Sequence, residues 1–193
     1  MKKYNNIFKS KRISLDIKLR TFNTYVEPII LYNSETWTMT SKLEKDLDTH
    51  QRKLLRIVIN EKYHIEHDGE KTLYRTISNN KLYQVTKATR WSIKIKRRRL
   101  NLMGHILRLH DDTPAKKALQ ESRLTQPKSR GRPLTTWTRN IMKDLLPTRD
   151  YHEIISDLTS VTLKQLSKLA SDRAIWRAEI ARSMGDKSPV KTN

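Results

Sequence analysis

The sequence predicts an all-α fold: helical, bundle-like segments joined by basic linkers, with no substantial sheet. Two observations carry this. Apolar residues recur at helical rather than alternate spacing in several separate stretches. Alternating apolar-polar runs and hairpin dipeptides such as Asn-Gly are missing, and only Leu31 to Met39 reads as a short extended piece.

In chain order, Ile13, Ile17, Phe22, Val26, Ile29 and Ile30 predict a helix to about Leu31, with Pro28 as its kink or stop. Ser41 followed by Glu44 forms a capping-box pattern, and Leu43, Leu47, Leu54, Leu55 and Val58 share one broad face, which predicts a helix over 42–59. Residues 60–71 are polar and aperiodic, contain Gly69, and read as a connection. Asn79 or Asn80 then suits the cap of a short helix carrying Leu82, Tyr83 and Val85. A longer helix follows from about Ser92 to Leu109. HDDTP at 110–114 ends it, and Pro114 opens a short helix through Ala118 and Leu119. Past Pro133, the spacing of Trp137, Ile141, Leu145 and Leu146 is helical until Pro147. A last helix is expected over 162–184, and the tail DKSPVKTN is expected to be disordered. The implied organisation is 1–60, a basic helical region at 61–119, a basic linker at 120–133, a C-terminal helical module at 134–184 and a tail at 185–193.

Charge narrows the function. Forty Lys and Arg against twenty Asp and Glu give a formal charge of +20, which self-repels unless a polyanion neutralises it. Nucleic acid is the expected partner. A membrane is not, because no run of about 18 apolar residues exists, and MKKYNNIFKSKR lacks the apolar core of a signal peptide. The expectation is a soluble intracellular protein, in nucleus and cytoplasm. Zero cysteines exclude disulfides, thiol catalysis and Cys-based zinc knuckles. At 193 residues the chain can still bury roughly 70% of its unfolded surface, so packing alone can hold it.

The charge is concentrated. From Lys71 to His110 there are eleven Lys or Arg and no Asp or Glu. Stepping about 100° per residue along 92–109 puts Lys94, Arg98, Asn101, His105 and Arg108 on one narrow stripe. Ile93, Leu100, Met103, Ile106 and Leu107 occupy the far side. Lys96 and Arg99 interrupt that apolar side, so its N-terminal end is expected to be unburied. The candidate nucleic-acid-binding residues are Lys94, Arg97, Arg98, His105, Arg108, Arg130, Arg132 and Trp91.

Each has a competing structural reading. Arg130-Gly131-Arg132-Pro133 is the core of a minor-groove hook, in which an extended Arg-Gly-Arg threads A·T-rich DNA. The amphipathic LTTWTRNI that follows favours a helix lead-in, since Pro suits the first helical turn. Trp37, Trp91, Trp137 and Trp176 suit base stacking or core anchoring. Helical spacing favours core for Trp137 and Trp176, and Trp91, inside the acid-free stretch, is the stacking candidate. His105, beside Gly104, reads equally as a phosphate or base contact and as a structural bond at a tight helix crossing. His64-x-x-His67-Asp68 reads as solvated loop rather than metal site, and Lys96 to Arg99 doubles weakly as a nuclear localisation pattern. Glu27, Glu35 and Asp144 read as caps or surface ion pairs.

Five blocks in order carry a resemblance: ILYNSETWTM at 30–39, HQRKLLRIVIN at 50–60, RRRLNLMGHILRL at 97–109, RGRPLTTWTRNI at 130–141 and SDRAIWR at 171–177. Together they resemble the C-terminal part of the reverse transcriptase of non-LTR (LINE-type) retrotransposons, downstream of the polymerase palm. The resemblance implies thumb-like helices that grip RNA, DNA or an RNA–DNA hybrid. Lys and Arg on the 92–109 helix, with Lys18 and Arg20, would meet the backbone, and the remainder of a reverse transcriptase would be a partner. It also implies that the metal-binding carboxylates lie upstream. Asp111-Asp112, the only Asp pair, sits in a turn rather than a strand hairpin, so this chain is expected not to polymerise DNA. No cofactor is expected, Mg2+ being needed only by a complete polymerase. Two positions depart from the family: Asn33 stands where it usually has Gly, and Leu102 where it often has Trp. Asn tolerates a positive φ next best, so the turn is expected to survive. The rival readings are a hook-containing chromatin protein and an inactive element remnant.

Overall fold

The computed structural model describes residues 4–60, 64–68, 71–75, 77–121, 136–145 and 160–185. Among these residues the protein is all-α, as the sequence predicts, apart from one antiparallel hairpin of His64–Asp68 and Lys71–Arg75. The chain divides into two compact units, Met1–Tyr32 with Ser41–Ser92, and Asn33–Thr40 with Ile93–Asn193. The division falls inside a helix and beside a short turn segment, rather than at residue 60 or at the expected linker.

In the first unit, Ser14 caps the helix Leu15–Thr21, its Oγ accepting from the Ile17 N–H. The chain continues through a π-helical turn, Phe22–Val26, into Glu27–Ile30. Pro28 explains the widening: it has no N–H to give the Thr24 carbonyl and its ring crowds that oxygen, so the backbone loosens just ahead of it. The extra residue of the π turn also rotates the side chains that follow it, Ile29 among them. Phe22 and Val26 are buried, whereas Ile17 and Ile29, placed on the same apolar pattern by their spacing, are 54% and 74% exposed.

The helix Ser41–Val58 buries the line Asp48, Gln51, Leu55 and Val58, and Leu43 stays exposed. Its buried line is therefore polar at one end, a point that matters for the site. The helix Asn79–Thr86 is capped by Ser78, which accepts from the Lys81 N–H, and not by Asn79 or Asn80. Residues 64–68, within the stretch 60–71 expected as a connection, instead pair with 71–75, Ile65 opposite Tyr74. The β-favouring Ile65, Thr72 and Tyr74 are consistent with that pairing.

In the second unit, the Trp91–Arg108 helix contributes its residues from Ile93 onward. Leu100, Met103 and Leu107 pack with Leu119 of Pro114–Glu121, Ile141 and Leu145 of Trp137–Leu145, Ala170 of Ser160–Ser171, and Trp176 and Ile180 of Arg173–Ser183. The single helix expected over 162–184 is two. Asp172 takes an extended backbone between them, and its Oδ1 accepts from the Ala174 and Ile175 N–H groups at 2.7 and 3.1 Å. Satisfying the orphan donors of a new N-terminus is what an Asp cap does best.

Candidate nucleic-acid interface

The candidate residues lie mostly on the Trp91–Arg108 helix, whose first turn is held within the first unit. Four N–H groups at a helix start lack intrahelical acceptors. Here Gln51 Oε1 accepts from the Trp91 N–H at 3.0 Å, and Asp48 Oδ1 accepts from the Ser92 N–H at 3.0 Å. The Ser92 hydroxyl donates to Asp48 Oδ2. Gln51, fully buried, also donates from Nε2 to the Thr89 carbonyl and accepts from the Tyr83 hydroxyl. Burial pushes the Tyr83 phenol above its ordinary value. The inward-facing polar residues Asp48 and Gln51 of Ser41–Val58 thus satisfy the first N–H groups of the Trp91–Arg108 helix.

Trp91 is corrected by this arrangement. It is 1% exposed, its Nε1 donates to Glu27 Oε1 at 2.7 Å, and its ring lies parallel to Phe22 with centroids 6.4 Å apart. A base cannot stack on it without unpacking the unit. Glu27, read as a cap or surface partner, is the buried acceptor of that indole.

The stripe lies at the surface as its spacing predicts. Of its residues Arg98, Asn101 and His105 are exposed and Lys94 and Arg108 half-buried, and Arg97, beside the stripe, is exposed as well. From Lys94 to Arg108 the axial rise is about 21 Å, with a polar or cationic group at each turn of about 5.4 Å. Two of the arginines are braced within the second unit: Arg98 Nη1 donates to Ser34 Oγ at 3.4 Å, and Arg108 Nη1 to the Ala170 carbonyl at 3.0 Å.

The inner side of the same helix contradicts the expectation that Arg99 marks an unburied end. Ile95 is fully buried and Arg99 is 1% exposed, its Nη2 bonded to Asp144 at 2.5 Å and its Nη1 donating to the Trp37 carbonyl at 3.4 Å. Lys96 approaches the other Asp144 oxygen at 3.7 Å. Asp144 is therefore a buried counter-charge rather than a surface acid, and the helix can bury a cation because a carboxylate from Trp137–Leu145 meets it.

The segment 33–40 forms the rest of this wall. Asn33 takes the left-handed conformation, φ 53°, as expected of Asn in place of Gly. After a 3-10 turn, Ser34–Thr36, the backbone extends, and three alternate carbonyls accept side-chain donors. Glu35 accepts from Trp137 Nε1 at 2.7 Å, Trp37 from Arg99, and Met39 from Asn140 Nδ2 at 2.9 Å. Further along the helix, Trp176 lies on Gly104 and donates from Nε1 to the Leu100 carbonyl at 3.0 Å. The tight crossing foreseen at Gly104 thus receives an indole rather than a backbone. Residues of four of the five blocks meet in this unit, and most of them do so as packing and hydrogen-bonding partners.

The other candidates fall elsewhere. Arg130 and Arg132 lie outside the described residues. Lys18 is buried, and Arg20 pairs with Asp16 at 2.9 Å. Asp111 and Asp112 pair at the surface with Lys116 and Lys117, and the Lys116 hydrogen bond holds the Asp111 carboxyl below its ordinary value. Lys116 also donates to the Leu107 and Leu109 carbonyls, closing the C-terminal end of the basic helix. Among the described residues no group of three His, Cys, Asp or Glu side chains could hold a metal ion, and no helix is long and apolar enough to cross a membrane. No protein-family model, curated protein or solved structure matches this chain.

Proposed function

We propose that the chain binds nucleic acid through its phosphate backbone, in the manner of the thumb and post-palm region of a non-LTR retrotransposon reverse transcriptase, and performs no chemistry itself. One observation supports this most. The Trp91–Arg108 helix buries one side in a core and exposes on the other Arg97, Arg98, Asn101 and His105, flanked by Lys94 and Arg108. This surface lies within forty residues that carry no acid. The cations neutralise successive phosphates and release their counterions, while bracing by Ser34 and Ala170 lowers the entropy lost when the arginines are fixed. Such contacts position a strand without reading its sequence, so the role is to hold RNA–DNA hybrid or structured RNA in register for a polymerase active site carried elsewhere.

Binding to RNA–DNA hybrid, A·T-rich duplex and G·C-rich duplex, titrated across a salt series, tests the proposal. A steep fall of affinity with salt and no A·T preference is the expected result. A strong A·T preference abolished by replacing Arg130 and Arg132 would favour the minor-groove hook instead.

A further inference from the structure

We infer that Trp37 is a stacking platform for an unpaired nucleobase at one end of the basic stripe, an inference that rests on the nucleic-acid reading above. The four tryptophans are not equivalent. Trp91, Trp137 and Trp176 each spend the indole N–H on an internal acceptor, respectively Glu27, the Glu35 carbonyl and the Leu100 carbonyl. Among the described residues Trp37 makes no such bond, and it is half-buried rather than buried. Its backbone, in contrast, is pinned: the carbonyls of Glu35, Trp37 and Met39 each accept a donor from another element of the second unit. A large flat ring that is only partly covered, on a fixed backbone, loses little entropy when a base settles on its open part.

Charge identifies the occupant. Arg98, exposed on the stripe, donates to Ser34, and Arg99 of the same helix donates to the Trp37 carbonyl, so the backbone of residues 34–37 is tied to the helix that carries the cationic row. The exposed neighbours Thr36 and Thr38 are uncharged and hydroxylated, and the one nearby acid in the segment, Glu35, is half-buried. An aromatic face beside a row of cations is the arrangement that binds single strands, the cations following phosphates and the ring taking a base. A base inside a duplex already has both faces stacked, so only an unpaired or terminal nucleotide can use the site. The ligand class is therefore a single-stranded segment running from Trp37 onto the stripe.

The test compares the full chain with Trp37→Ala and Trp37→Phe for binding to a short single-stranded RNA and to a blunt duplex of the same composition, with tryptophan fluorescence recorded on the same samples. Trp37→Ala should weaken single-strand binding about tenfold and leave blunt-duplex binding nearly unchanged, and Trp37→Phe should retain most of the affinity. The fluorescence difference between the parent and Trp37→Phe should be quenched when the single strand is added. Equal loss on both ligands, or no loss on either, would overturn the inference. An unquenched difference signal would overturn it too, whatever Trp37→Ala does to folding. Failure of the parent chain to bind either ligand would sink the broader nucleic-acid reading, a result distinct from normal binding that ignores Trp37.

Discussion

Gly104→Ala is the sharpest perturbation of the packing that presents the stripe. In an isolated helix the change is favourable by about 1 kcal/mol, because Ala is the better helix former. Here a Cβ on residue 104 would sit 2.1 Å from Trp176 Nε1 and 2.6 Å from its Cδ1. Restoring ordinary contact requires the indole to retreat by about 1.3 Å from a buried position. That movement removes its bond to the Leu100 carbonyl, a loss of about 1 kcal/mol. Overpacking in a filled core adds roughly 2 kcal/mol. Less the propensity gain, the variant should be destabilised by about 2 kcal/mol, or a melting temperature lower by about 4–8 °C. Urea and thermal unfolding followed by circular dichroism measure it. In a Trp176→Ala background the same substitution should reverse sign and stabilise the helix. A parent-like or higher stability for Gly104→Ala alone would refute the close indole contact.

Asp144→Ala should cost about 3–5 kcal/mol in a urea titration, because it strands the buried Arg99 guanidinium, and the pair Arg99→Met with Asp144→Leu should recover most of that loss. Gln51→Ala removes the acceptor of the Trp91 N–H and the Tyr83 hydroxyl together with the donor to Thr89. A loss of about 2–3 kcal/mol is expected, read as a lower unfolding midpoint. Because burial raises the Tyr83 pKa in the folded chain, its contribution is complete below the ordinary value of 10.0 and is lost as the pH rises through the higher folded value. Stability measured against alkaline pH should therefore fall less steeply in Tyr83→Phe than in the parent.

What the sequence disclosed, and what it hid, follows from the range of the interactions. Helices with their own periodicity were legible, and so was the left-handed turn at Asn33, since Gly and Asn are the residues that enter that region at least cost. The stripe was legible for the same reason: its exposure depends on the helix's own spacing. Trp91 was not, because its partners Phe22 and Glu27 lie more than sixty residues earlier and no local pattern names them. Arg99 seemed to break an apolar face only because its counter-charge, Asp144, sits 45 residues away on another helix. The break at Asp172 left a trace in the Ser171-Asp172 pair, a cap signal inside an apolar periodicity that otherwise reads through. Ile29 follows the one-residue widening of the π turn ahead of Pro28, which rotates the side chains after it, whereas Ile17, ahead of that turn, already stands about 140° from Phe22 on a regular helix. The hairpin at 64–75 has too little alternation to stand out from a polar connection.

The most direct test removes three charges on or beside the stripe and, in parallel, three charges elsewhere. Lys94→Gln, Arg97→Gln and Arg98→Gln combined in one variant, and Lys9→Gln, Lys11→Gln and Arg12→Gln combined in another, carry the same formal charge. Affinity for an RNA–DNA hybrid would be measured for both across a salt series. A backbone-binding stripe predicts that the first variant loses affinity and that its salt slope falls by roughly 2–3, with the second close to the parent. Equal losses in the two variants would mean that net charge alone holds the nucleic acid, and would contradict a binding surface on the Trp91–Arg108 helix.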